Sequence, residues 1–306
     1  MDFIPKKKHL EDEKKDFIKI MSFFVDNIDI QEDQLLGRPR ANLRDILKSL
    51  LIMSYHCWSY RRSMSDIEKL KEEGLILSKP AVSTLNKYMQ NQQFQDLLKT
   101  LIELCALSFV DVEDCVILDS TWFCNMIRLS ASNIARIKNR NMKLPALSKT
   151  RKIHIIIGKN SKIILSAETS FGTVHDSHYF KPLLEKALKL GFRIKTLLAD
   201  AGYNSKEHYA LCENYGIKET FIDFRKNEVT GKDRSALRRN QLIIFRSHPE
   251  IWHETYDMRA IIETVFSSMK RKGKNYIRSR NADAQDSEML LRVLWYNLTI
   301  IAKYYY

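Results

Sequence analysis

The spacing of apolar residues changes period near residue 110, and that change constrains the fold more than any other feature. Upstream, apolar residues recur every three or four positions, as on the buried face of a helix. Phe17, Ile20, Met21 and Phe24 mark a helix over about 11–28, and Leu43, Ile46, Leu47, Leu50 and Leu51 one over about 42–58 with Asn42 as N-cap. Ser65-Asp66-Ile67-Glu68 has the form of a capping box and predicts a third helix ending near Gly74. A fourth is expected over 78–90 and a fifth over 94–108. Downstream, the apolar residues come in short runs: 115–118, 151–157, 162–168, 194–199 and 218–224. Helical stretches at 177–190, 204–215, 256–271 and 286–303 separate or follow them. Strands and helices in that order predict a mixed α/β sheet domain. The expected division is therefore an all-helical domain over residues 1–110 and an α/β domain over 111–306.

Charge follows the same division. Residues 1–110 hold 17 basic and 16 acidic side chains, whereas 111–306 hold 33 and 21, so the formal net charge of +13 lies almost wholly in the α/β part. A field of that sign attracts polyanions, nucleic acid first among them. Residues 128–152 contain Arg128, Arg136, Lys138, Arg140, Lys143, Lys149, Arg151 and Lys152 and no acid. Residues 270–280 contain Lys270, Arg271, Lys272, Lys274, Arg278 and Arg280, again without an acid and with Tyr276 interleaved. A third basic tract spans 225–246. Such tracts suit phosphate neutralisation, or simply a solvated face. No stretch reaches the ~18 apolar residues of a spanning helix, and no basic helix has a clean apolar face, so a membrane partner is not expected. The start lacks the apolar core of a secretory signal, and five scattered cysteines make no disulfide framework; a cytoplasmic protein with reduced thiols is expected.

Helices three and four, joined by a short turn at Gly74–Leu77, have the spacing of a helix-turn-helix, with Val82, Leu85 and Met89 inward and Ser83, Thr84, Asn86 and Lys87 outward. An ordinary helical bundle reads the same way. Gly37-Arg38-Pro39-Arg40 fits either a linker or an extended arm for a minor groove.

Two apolar runs close on an aspartate: Leu118-Asp119-Ser120-Thr121 and Ala199-Asp200-Ala201-Gly202-Tyr203. Ligands of open α/β sheets bind beyond the carboxyl ends of strands, so two carboxylates there would suit a hard cation such as Mg²⁺ or Mn²⁺. Aspartate is also a common turn residue. The stretch 256–271 adds to this. At ~100° per residue, Tyr256, Arg259, Glu263 and Lys270 fall at about 0°, 300°, 340° and 320° round a helix, beside an apolar arc from about 140° to 280°. A helix ion pair explains Arg259 and Glu263, but not all four. Trp122 suits core packing first and stacking on a displaced base second. His208 and Cys212 stand at metal-ligand spacing without a second pair.

Tyr256-x2-Arg259-x3-Glu263-x6-Lys270 resembles the Tyr-Arg-Glu-Lys signature of DDE transposases of prokaryotic insertion sequences, the type 4 and type 5 families. Asp119 and Asp200 resemble the family's two aspartate motifs, and His175-Asp176 is also similar, without an assignable role. The resemblance covers about residues 115–303. It implies an RNase H-like catalytic domain with Asp119, Asp200 and Glu263 as a catalytic triad holding two Mg²⁺ or Mn²⁺ ions. Tyr256, Arg259 and Lys270 would hold phosphates. Double-stranded DNA, as element ends and target, is the implied partner, with a homodimer to pair two ends and a nucleoid-associated location. Some relatives carry a large β insertion between the second aspartate and the glutamate, for which residues 225–255 are too short. A hydrolysis-only nuclease and a catalytically silent DNA-binding regulator are the alternatives.

Overall fold

The computed structural model describes residues 7–29, 41–125, 150–224, 235–273 and 275–305. The Gly37–Arg40 run, Arg136, Lys138, Arg140 and Lys274 lie outside them. In chain order the elements are α1 (Lys7–Asn27), α2 (Leu43–His56), α3 (Tyr60–Glu72), α4 (Val82–Met89), α5 (Gln92–Ala106), β1 (Cys115–Asn125), β2 (Arg151–Gly158), β3 (Ile164–Phe171), α6 (Phe180–Lys189), β4 (Thr196–Ala199), α7 (Lys206–Asn214) and β5 (Glu219–Ile222). They continue with α8 (Ala236–Ser247), α9 (Pro249–Tyr256), α10 (Ile261–Gly273) and α11 (Ala282–Tyr305). Packing divides the chain into two compact units, residues 1–98 with 269–306, and residues 99–268.

The first unit is helical. α11 is its centre: fourteen consecutive residues from Met289 to Ala302 are buried, and the helix packs on α1, α2 and α4. A helix that is apolar nearly all round must be enclosed by others. α2 is capped by Asn42, whose side-chain oxygen accepts the N–H groups of Arg44 and Asp45 at 2.9 and 3.2 Å. The expected capping box does not open α3. The helix starts at Tyr60 after Ser59, and the Ser65 hydroxyl donates instead to the Arg62 carbonyl. Its far end is a Schellman turn, with Leu75 N–H bonded to Leu70 O, Gly74 N–H to Lys71 O, and Gly74 at φ 71°. The α3–α4 connection is fixed from below by Asp45. This buried carboxylate accepts the N–H groups of Leu77 and Ser78 and the Ser78 hydroxyl at 3.0, 2.8 and 3.0 Å. On α4, Leu85 and Met89 are buried and Ser83, Asn86 and Lys87 exposed, as the spacing predicts.

The second unit holds the sheet, in strand order β3-β2-β1-β4-β5. β1, β2 and β3 are antiparallel neighbours, while β4 runs parallel to β1 and β5 parallel to β4. This is the RNase H-like arrangement. Cross-strand register sorts the side chains by face: Asp119, Ile155 and Ala167 share one, Ser120, His154 and Glu168 the other. α6 covers the second of these faces, where Glu168 accepts Lys186 of α6 and Lys99 of α5, each at 2.7 Å. α8 and α9 pack on β5, with Trp252 fully buried and bonded through Nε1 to Gln241 at 3.0 Å.

Three local expectations change. β1 does not end at Asp119 but runs on to Asn125, because Ser-Thr-Trp-Phe continues to pair with β2. Only its parallel pairing with β4 stops there, at Leu118↔Ala199. The 256–271 stretch is not one α-helix: α9 ends at Tyr256, a 3-10 segment spans Asp257–Ala260, and α10 begins at Ile261. The tighter turn winds about 120° per residue, so the angular positions of Tyr256 and Arg259 shift relative to Glu263. Helices α8 and α9 fill a region for which the sequence indicated only basic charge; Pro249 at the start of α9 breaks the pattern between them.

Candidate active site

The site builds on the parallel strand pair. Asp119 sits on β1 one residue past the last β1–β4 partner, and Asp200 is the residue after β4, so the two acids leave neighbouring strands at the same level. Asp119 is well shielded, with 18 % of its side chain exposed, whereas Asp200 is exposed. The 3-10 segment and α10 bring Arg259 and Glu263 to the same place. Arg259 Nη1 donates to Asp119 Oδ2 at 3.1 Å, and Nη2 lies 3.5 Å from Glu263 Oε1. Arg259 therefore bridges two of the three acids, a role that phosphate-holding alone did not predict. Glu263 itself is exposed.

Burial raises the Asp119 carboxyl to about 6. The Ser120 N–H, bonded to Asp119 Oδ1 at 2.7 Å, and Arg259 pull it down; the Asp200 and Asp176 carboxylates push it up. Burial opposes the charge of Arg259, yet Tyr256, Asp119, Asp200 and Glu263 outweigh it and raise its pKa. Tyr256 is buried and stacked on Trp252 at 4.5 Å, and Arg259 lies 5.7 Å from its ring centre. Burial first, then the Asp223 and Asp200 carboxylates, push its hydroxyl up to about 12 against the opposing pull of Arg259.

Periodicity could not reveal two further residues. Tyr203 is 1 % exposed, and burial followed by the charges of Asp176, Asp119 and Asp200 pushes its hydroxyl up. Asp176 lies in the turn before α6, held by Lys152 Nζ at 2.8 Å and 3.5 Å from His154 Nδ1. Its only signal was the His175-Asp176 pair. The predicted residues from Lys270 to Arg280 belong to the first unit. Lys270 on α10 is half-buried, Arg271 and Arg280 are exposed, Lys272 pairs with Glu13, and Arg278 donates to Cys57 O at 3.1 Å and Tyr276 Oη at 3.2 Å. His208 is bonded to the Tyr203 carbonyl at 2.7 Å and stacked on Phe180, while Cys212 is buried. Trp122 is 45 % exposed, contrary to the core packing expected of it, because the β1 alternation turns Thr121 and Phe123 inward.

Asp119, Asp200 and Glu263 offer the carboxylate oxygens that hard divalent cations take. Among the described residues no three His, Cys, Asp or Glu side chains stand close enough to hold a metal as they are. The cation between Asp119 and Glu263 is the Arg259 guanidinium. The donor chemistry, carboxylate oxygens from Asp119, Asp200 and Glu263, fits a hard divalent ion.

The sheet order, with β4 and β5 parallel to β1, is that of the RNase H-like fold class. A family model described as "Transposase DDE domain" matches residues 130–298, and the chain belongs to that family. The match takes in Asp200, Tyr256, Arg259, Glu263 and Lys270; Asp119 precedes it. None of the curated proteins compared matches the chain. Among solved structures, the Drosophila P element transposase strand transfer complex is similar at 12% identity and TM-score 0.34, over 94% of this chain and 71% of that one. Among the described residues no helix is long and apolar enough to cross a membrane.

Proposed function

We propose that this protein is the transposase of a prokaryotic insertion sequence of the type 4 or type 5 families, binding the ends of its element and catalysing phosphodiester hydrolysis and strand transfer. The observation that carries the reading is Arg259, which bridges Asp119 and Glu263 where Asp119 and Asp200 leave the parallel strand pair at one level. Asp119, Asp200 and Glu263 are the catalytic acids, and they would hold two Mg²⁺ or Mn²⁺ ions. Bound ions of this kind stabilise negative charge on the attacking and leaving oxygens of an in-line displacement. Glu263 is exposed on α10; turned toward the aspartates it would hold an ion with them, and the fork of Arg259 would be left to take a phosphate in two parallel bonds. Ser120 N–H keeps Asp119 aimed, and the Trp252 stack fixes Tyr256 and through it Arg259. Water attack frees a 3′-hydroxyl at the element end, and that hydroxyl attacks target DNA.

In this reading residues 1–110 bind DNA, with α3 and α4 as the helix-turn-helix, and the basic residues from Arg136 to Arg140 and from Lys270 to Arg280 track the phosphates. A homodimer pairs two ends in the nucleoid. A silent DNA-binding descendant is the second reading; the Arg259 ion pairs and the lack of a three-ligand cluster among the described residues favour it. Purified protein, Mg²⁺ or Mn²⁺ and labelled DNA from the flanks of its own gene decide between them. Metal-dependent cleavage leaving a 3′-hydroxyl, followed by joining to a second duplex, supports the enzyme. Binding without cleavage leaves the regulator.

A further inference from the structure

Of the three acids, Asp200 has a carboxylate to which nothing among the described residues bonds. The Ser120 N–H and Arg259 hold Asp119, and Arg259 also pairs with Glu263. The aim of Asp200 therefore depends on its backbone, and that backbone is held from α7. Tyr203 N–H donates to the Asp200 carbonyl at 2.9 Å and closes the 3-10 turn Ala201–Tyr203. The Tyr203 carbonyl in turn accepts from His208 Nδ1 at 2.7 Å. A series of two hydrogen bonds thus runs from the imidazole to the Asp200 peptide.

The imidazole is itself fixed. It stacks on Phe180 at 4.1 Å with the rings 10° from parallel, and Phe180 is fully buried at the start of α6. Ser205 Oγ accepts the backbone N–H of His208 at 3.1 Å, which sets the first turn of α7. A carbonyl oxygen only accepts, so His208 Nδ1 carries a proton and is no metal ligand. Asn204 gives the turn a second anchor, its Nδ2 donating to the Asp223 carbonyl just past β5 at 2.7 Å. Loss of the His208 bond is therefore expected to shift the turn rather than unfold it.

We propose that His208 is a positioning residue for Asp200: through the Tyr203 carbonyl it holds the turn after β4 so that the Asp200 carboxylate stands level with Asp119. The proposal rests on the DNA-cutting reading and adds to it a residue outside the acids and the phosphate-holding side chains. Groups that orient a ligand without touching the metal typically change affinity or activity roughly 10–100-fold when lost. A misplacement of about 1 Å at a reacting centre acts on the same scale.

Two variants of the full chain separate the bond from the ring. His208→Phe keeps a ring against Phe180 and loses the donor; His208→Asn loses the ring and keeps an N–H where Nδ1 stood. On a labelled duplex from the flanks of its own gene, His208→Phe is expected to cleave about tenfold or more slower and to need about tenfold more Mn²⁺ for half its maximal rate. Its DNA affinity is expected to stay within about threefold of wild type. His208→Asn is expected to cleave within about threefold of wild type, a rescue that a merely structural ring would not give. Nitrogen NMR of histidine-labelled wild type is expected to show a proton on His208 Nδ1, a readout that needs no variant to fold. A ring protonated at Nε2 alone would overturn the bond. Folded His208→Phe that cleaves within about threefold of wild type, or His208→Asn as slow as His208→Phe, would overturn the positioning role and leave DNA cutting intact. Wild-type protein that binds the duplex and never cuts it would overturn the reading beneath it.

Discussion

Gly158→Ala is expected to destabilise the sheet through one side chain, Glu113. Gly158 ends β2, and its φ is not in the left-handed region, so alanine strains no backbone there. A methyl at this position would fall on Cγ, Cδ and Oε1 of Glu113, well inside contact distance. Glu113 is 2 % exposed and cannot move cheaply. Its carboxylate accepts the N–H of Asn160 at 3.0 Å and that of Ser161, which holds the turn between β2 and β3. Displacing it sacrifices two charge-assisted bonds, each roughly 1.5–3 kcal/mol, of which the partly exposed Asn160 N–H regains some from water. The net cost is about 2–4 kcal/mol, and about 5–10 °C in melting temperature. Glu113→Ala removes the same bonds and should cost a similar amount. In that background the three atoms nearest the new methyl are gone, and the loss of unfolded-state freedom makes Gly158→Ala neutral or stabilising by up to ~1 kcal/mol. Urea melts of the four proteins give the cycle. Costs that add, or a Gly158→Ala within about 0.5 kcal/mol of wild type, would refute the reasoning.

Asp45→Ala strands the N–H groups of Leu77 and Ser78 under the α3–α4 turn and is expected to cost about 2–4 kcal/mol in a denaturant melt, Asp45→Asn less because one acceptor survives. Glu168→Gln leaves Lys99 and Lys186 facing a neutral group and is expected to lower the melting temperature more than Glu185→Gln, whose carboxylate is more exposed. Burial lowers His154 from its ordinary 6.5 to about 4, with Lys152 adding to this and Asp176 and Glu168 opposing it. The unfolded chain therefore takes up a proton first as pH falls: this contribution to stability is complete above 6.5 and declines toward 4. His154→Gln should flatten that part of the stability–pH curve; parallel curves for both proteins would remove His154 as the cause.

The helices and strands were legible because apolar spacing is a local property. Leu85 and Met89 are buried where their period placed them, and the runs at 151–157 and 194–199 are β2 and β4. Longer-range features were less so. β1 carries on past Asp119 because β2 is there to pair with it, and Ser120–Phe123 alone do not announce that partner. α11 is apolar on every side, so its own sequence shows that it is enclosed but not that α1, α2 and α4 enclose it. At the site, Asp119, Asp200, Arg259 and Glu263 were visible as residues with a spacing. The Arg259 bridge depends on a 3-10 turn that periodicity reads as plain helix. Asp176 and Tyr203 lie in turns, which no periodicity marks.

The central claim is that Asp119, Asp200 and Glu263 act together on DNA. Its most direct test is the metal-dependent cleavage rate of Asp119→Asn, Asp200→Asn and Glu263→Gln on the flanking-DNA duplex, beside melting curves and DNA affinity for each. The account predicts that each substitution alone removes cleavage, by a factor of about 10³ or more, while affinity stays within about threefold and the fold survives. Wild-type cleavage that persists in any one of the three, or a wild-type protein that binds the duplex and never cuts it, would contradict it.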